Sequence, residues 1–128
     1  MLPFIVLLYL KGTPSLGLFF SAHSSFQLSA YLNASWAAYL HSHRSINRLC
    51  VFLGSSLISW KTKKQATVSR SSSEAEYRSM VSTLCELLWI SYLLRELQVV
   101  PQLPIPFWCD NKATLDINAN LVFHERTK

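Results

Sequence analysis

From Glu74 to about Leu97 the apolar residues fall at helical spacing, with Tyr77, Met80, Val81, Leu84 and Leu88 forming one stripe and Arg78, Ser82 and Glu86 elsewhere around the cylinder. The segments on either side have a different period. Leu16 to Phe20 and Gln27 to Leu32 read as extended, the second alternating Leu28, Ala30, Leu32 against Gln27, Ser29, Tyr31, so that Asn33 falls at a strand's end. Arg48 to Leu53 and Leu57 to Lys61 are short β-type runs joined by Gly54-Ser55-Ser56, which has the length and composition of a tight hairpin loop. Three antiparallel strands before one long helix define a mixed α/β chain.

After the helix, Pro101, Pro104 and Pro106 mark a connection and an entry into Phe107-Trp108-Cys109, which ends at Asp110 where a shorter helix is expected to begin near Lys112. At the other end, Met1 to Leu10 reads as the end of a packed helix, stopped by Lys11-Gly12-Thr13-Pro14, since glycine suits a C-terminal cap and proline cannot continue the helix. The Gly12 turn is not a phosphate loop, which would need several glycines and a Lys-Ser/Thr pair opening a helix. The first ten residues have no basic leader and no small-residue cleavage pattern, and they are too few to span a bilayer, so an intracellular chain, cytoplasmic or nuclear and not secreted, is expected.

At 128 residues, half of them hydrophobic, the chain can bury one core. Its charged fraction of 15% is below the roughly 25% usual for soluble domains, which predicts poor solubility for the chain on its own. All seven acids lie after residue 73, while seven of the twelve basic residues lie before it. That asymmetry suits a polyanionic partner for the first half, and it equally suits a solvated basic surface. Cys50, Cys85 and Cys109 are odd in number, widely spaced and set in apolar runs, and read as reduced core residues. His41 and His43 alternate in a Ser/Arg-rich loop without acidic or Cys partners, which argues against zinc.

Three motifs recur in order: Tyr31-Leu32-Asn33-Ala34-Ser35-Trp36-Ala37, Ser71-Ser72-Ser73-Glu74-Ala75-Glu76-Tyr77 and Phe107-Trp108-Cys109-Asp110-Asn111. With Tyr9-Leu10-Lys11-Gly12-Thr13-Pro14, Ile58 to Gln65 and His124-Glu125-Arg126-Thr127-Lys128, they make the chain resemble the ribonuclease H domain of the Pol polyprotein of copia-type long-terminal-repeat retrotransposons. The resemblance implies a ribonuclease H-like mixed sheet of three antiparallel strands, a helix, a parallel strand and a helix, without the family's last strand. Residues 1–15 would be the tail of the reverse-transcriptase connection segment and 16–128 the ribonuclease H-like domain, truncated before the strand that carries a fourth acid.

The family cuts RNA in RNA/DNA hybrids with two Mg²⁺ or Mn²⁺ ions held by carboxylates from separate elements. By the resemblance, its helix-borne Glu maps to Glu76 and its strand-end Asp to Asp110, a remnant metal site, whereas its first Asp falls on Asn33 and a second on Ser35. An amide at position 33 removes a full negative charge from the ligand that bridges both ions in the family, so a large loss of activity and no productive metal binding are expected. Two other readings of the residues stay open: Ser73-Glu74-Ala75-Glu76 also spells a capping box, and Asp110 suits the cap of the following helix. Asn33-Ala34-Ser35 also spells a glycosylation acceptor, which is read as an accident of replacing Asp by Asn.

Lys61, Lys63, Lys64 and Arg70, beside Trp60, could track a phosphate backbone or form a solvated loop. Ser71, Ser72 and Ser73 precede Glu76 where this fold offers polar groups to RNA. His124 falls in the family's loop near the active centre. The readings that follow are an inactive remnant of a retrotransposon ribonuclease H domain, a catalytically silent nucleic-acid-binding module, or a non-functional fragment. The implied partners are an RNA/DNA hybrid, the parent polyprotein and, through an exposed sheet edge, a second copy of the chain.

Overall fold

Why the chain builds a four-stranded sheet with one helix across it is clearest from the hairpin at its centre. The computed structural model describes residues 2–109. Strands β1 (Leu28–Ser35), β2 (Ile46–Leu53) and β3 (Ser56–Lys64) form an antiparallel meander, and β4 (Phe107–Cys109) joins β1 in parallel, giving the order β3-β2-β1-β4. Leu53 pairs with Ser56 around a two-residue loop, and Gly54 there takes φ +60°, the sign a tight hairpin asks of its first loop residue. A side chain at Gly54 would also collide with Ser24, whose hydroxyl accepts the Ser55 N–H at 2.9 Å.

Helix α1 spans Leu2–Gly12 and helix α2 Ser72–Glu96. The mixed α/β class and the strand order expected of a ribonuclease H-like sheet are therefore present, with the parallel strand reached only after α2 has crossed the sheet. The helix expected from Lys112 and the loop containing His124 lie outside the described residues.

The core lies between α2 and one face of the sheet. Alternation along the strands sends Leu28, Ala30, Leu49 and Val51 to that face, where they meet Leu87, Ile90 and Leu94 of α2. Towards its N-terminus α2 presents Ala75, Ser79 and Thr83, small side chains that let the helix axis approach the sheet. Thr83 satisfies its buried hydroxyl by donating to the Ser79 carbonyl at 2.8 Å.

Several expectations are corrected. The stripe Tyr77, Val81, Leu84, Leu88 is 44–55% exposed, and of the five residues assigned to it only Met80 is buried. The buried face is instead Ala75, Ser79, Thr83, Leu87, Ile90, Leu94, which repeats at the same spacing but begins with small and polar residues. Leu16 to Phe20 forms no strand, and β1 runs on through Asn33 to Ser35, so that Asn33 lies inside the strand. Residues 2–12 do form a helix, but no residue of it is buried, so it is not packed as expected. Nor are the cysteines core residues: Cys85 is exposed, and Cys50 and Cys109 are half-buried. No described helix is long and apolar enough to cross a membrane.

Candidate functional site

The site is set by where α2 begins. Its N-cap is Ser71, with extended backbone and a hydroxyl that accepts the Glu74 N–H at 3.1 Å. Glu74 reaches back to accept the Arg70 N–H at 2.8 Å and takes a second contact from the Arg78 guanidinium at 2.6 Å, one turn on. The Arg70 amide, followed by Arg78, holds the Glu74 carboxyl below its ordinary value of 4.5 against an opposing desolvation. The cap is thus Ser71, with Glu74 reaching back to the Arg70 amide just before it, two residues before the expected Ser73 and Glu76 pair.

Glu76 is buried, with 4% of its surface accessible, and its Oε1 accepts the Ala34 N–H at 3.0 Å. The Ala30 N–H, four residues earlier on the same edge of β1, donates to the Pro106 carbonyl, so the even-numbered amides of β1 point towards β4. The described part of β4 ends at Cys109, paired with Leu32. Glu76 therefore fills the notch beyond that pairing, one residue along from Asn33. Asp110, the next residue of the chain, lies outside the described residues.

A buried polar network holds the start of α2 against the sheet. Gln65 Nε2 donates to Asn47 Oδ1 at 2.6 Å and to the Ala75 carbonyl at 2.9 Å, while its Oε1 accepts the Ser69 hydroxyl at 2.9 Å. Trp36 Nε1 donates to the Ser69 carbonyl at 3.0 Å. Gln65, Ser69 and Asn47 thereby hold the turn of α2 that carries Glu76, and sequence reasoning missed all three as site residues. Their one visible trace was that the motif Ile58 to Gln65 ends on Gln65.

The positions where the resemblance leads one to expect further acids, 33 and 35, hold neutral residues. Asn33 is half-buried in β1 opposite Arg48 of β2, and the Ser35 hydroxyl accepts the Arg48 guanidinium at 2.6 Å. A fixed cation beside positions 33 and 35 opposes a metal ion there. Among the described residues no three His, Cys, Asp or Glu side chains gather where a metal could be held. The described side chains thus do not fit a two-ion centre, whose hard ions require several anionic oxygens.

The residues expected to meet nucleic acid are divided by the structure. Lys61 is paired with Glu86 at 2.6 Å on the helix side of the sheet. Lys63 and Lys64 line a cleft of about 220 Å³ with Asn47, Gln65, Arg78 and Ser82, and the Lys64 ammonium also sits 4.0 Å from the centre of the Tyr39 ring. Arg70 and Ser72 are exposed, Ser73 is half-buried, and Ser71 is committed to the cap.

The chain is similar over 123 residues, 96% of its length, to the retrovirus-related Pol polyproteins from transposons RE2 and RE1 of Arabidopsis thaliana, at 46% and 44% identity. Over the same 123 residues it is 31% identical to the Pol polyprotein from transposon TNT 1-94 of Nicotiana tabacum. It spans only 8–9% of the length of these relatives. No protein-family model matches the chain, and no solved structure matches it.

Proposed function

Starting from a chain that belongs, as a short segment, to the retrovirus-related Pol polyproteins of copia-type transposons, we propose that it is a ribonuclease H-like unit whose hydrolytic chemistry is lost. The observation that carries this reading is the pairing of a retained acid with neutral neighbours. Glu76 is buried and directed to the notch between β1 and β4, although a surface cap would have been the simpler use of a Glu near a helix start. Asn33 and Ser35, on either side of Ala34 along β1, carry no charge and lie by Arg48.

Cleavage of an RNA strand by two metal ions needs carboxylates to neutralise the ions and to activate water, and an amide in the bridging position supplies neither charge nor basicity. What remains is a scaffold suited to holding nucleic acid near α2 and the basic cleft of Lys63 and Arg78 without cutting it. Phosphate contacts of that kind are electrostatic and fall off with salt.

The test is a labelled RNA/DNA hybrid incubated with the purified chain in Mg²⁺ or Mn²⁺, beside the Glu76→Gln variant. No cleavage by either protein, with salt-dependent retention of the hybrid, is the expected result. Turnover by the native chain that disappears in Glu76→Gln would show that the centre is active.

A further inference from the structure

The sheet's other face, away from α2, carries a row of aromatic side chains that the reading above does not use. Register places Trp60 of β3, Cys50 of β2, Tyr31 of β1 and Trp108 of β4 in one line across all four strands, and residues so paired share a face. Tyr31 and Trp108 are stacked, with ring centres 4.7 Å apart and 20° between planes, and Phe52 meets Tyr31 edge-on at 5.7 Å. Tyr31, Trp60 and Trp108 are each about half exposed, at 50%, 58% and 47%.

Among the described residues the charge on this face has one sign. Every acid among the described residues, Glu74, Glu76, Glu86 and Glu96, belongs to α2 on the opposite side of the sheet. Alternation along β2 and β3 puts Arg48 and Lys64 on the aromatic side, and both are exposed. A shallow hollow of about 170 Å³, lined by Tyr31, Asn33, Arg48 and Cys50 among others, lies beside the stacked pair.

We propose that this face binds single-stranded nucleic acid, stacking bases on Tyr31, Trp108 and Trp60 while Arg48 and Lys64 meet the phosphates. Flat aromatic rings with cations beside them, and no carboxylate among the described residues of the face, suit a polyanion whose bases are free to stack. Trp60 stands two strands from Tyr31, roughly 10 Å at sheet spacing. That separation exceeds the ~3.4 Å rise of a stacked strand, so the row suits bases splayed apart and not a duplex. The inference does not depend on the Glu76 site, which lies at the start of α2.

The test uses the full chain and fluorescence anisotropy at low salt with a labelled 15-nucleotide oligo(dT), an abasic deoxyribose-phosphate oligomer of the same length, and a blunt duplex. The oligo(dT) is expected to bind about tenfold or more tightly than the abasic strand, which has the same phosphates and no bases. Trp60→Leu and Trp108→Leu should each weaken oligo(dT) binding about tenfold. Trp89→Leu, on the outer face of α2, should leave it unchanged. Equal binding of the abasic oligomer, tighter binding of the duplex, or no oligo(dT) binding by the native chain overturns the proposal without reference to any variant. A native chain that instead dimerises through these rings, with Trp60→Leu restoring the monomer and oligo(dT) failing to compete, would assign the face to a second copy and also overturn it.

Discussion

The Glu76 carboxylate accepts the Ala34 N–H at 3.0 Å, on the edge of β1 where the described pairing with β4 has ended. A side chain from the helix thus completes the hydrogen bonding of a strand, and it ties the start of α2 to the centre of the sheet. Glu76→Ala leaves the Ala34 amide without this acceptor and is expected to cost about 1.5–3 kcal/mol. Glu76→Gln keeps an acceptor and removes a buried charge, and should cost less than about half as much. Urea unfolding of both variants checks this, and an equal loss for Gln and Ala would mean that the charge, not the acceptor, is what the fold uses.

Helix α2 begins at Ser71 and not at Ser73. Ser71→Ala should therefore destabilise the chain by about 1 kcal/mol, and Ser73→Ala by no more than a few tenths. Thermal melts at matched concentration distinguish the two, and a reversed order would move the cap.

Glu74 adds a pH dependence to the same turn. Its carboxyl is held below the ordinary value of 4.5, chiefly by the Arg70 amide, so the contribution is complete above that value and fades as pH falls through the lower value of the folded chain. Because the group is partly exposed, the effect is screened and stays under about 1 kcal/mol. The stability gap between the native chain and Glu74→Gln should be largest near neutrality and close on acidification. A gap that widens towards low pH would contradict the assignment.

The two sides of α2 should respond unequally to truncation. Leu87→Ala and Ile90→Ala empty space in the core and are each expected to cost about 2–4 kcal/mol, while Leu84→Ala and Leu88→Ala, on the exposed stripe, should cost less than about 1 kcal/mol. Denaturant midpoints of the four variants decide it.

Placing an acid at position 33 sets it opposite Arg48, which already contacts Ser35. Asn33→Asp should gain up to about 1 kcal/mol from that pair and little from divalent metal. Melting the variant with and without Mn²⁺ measures both. A large Mn²⁺-dependent rise in melting temperature would show that further ligands converge there.

The strands, the hairpin glycine and the long helix were legible in the sequence because each has a local cause: alternation, a loop residue of permitted φ, and a 3.6-residue period. The order of elements, and with it the family likeness, followed from motifs in fixed sequence. Which side of α2 is buried was not legible. Both sides of the helix carry apolar residues, and the inner stripe begins with Ala75, Ser79 and Thr83, whose role is to be small and not to be hydrophobic. The sheet, not the helix, decides where a close approach is needed.

The same holds for the candidate site. Glu76 stood out in the sequence, but whether it capped the helix or entered the sheet depended on a shift of two residues in the helix start. That shift is fixed by Gln65, which donates across the chain to Asn47 and the Ala75 carbonyl and accepts the Ser69 hydroxyl. The aromatic row of Trp60, Tyr31 and Trp108 likewise exists only in register. Periodicity states which residues of one strand share a face, while the pairing of four strands states which of those faces become one surface.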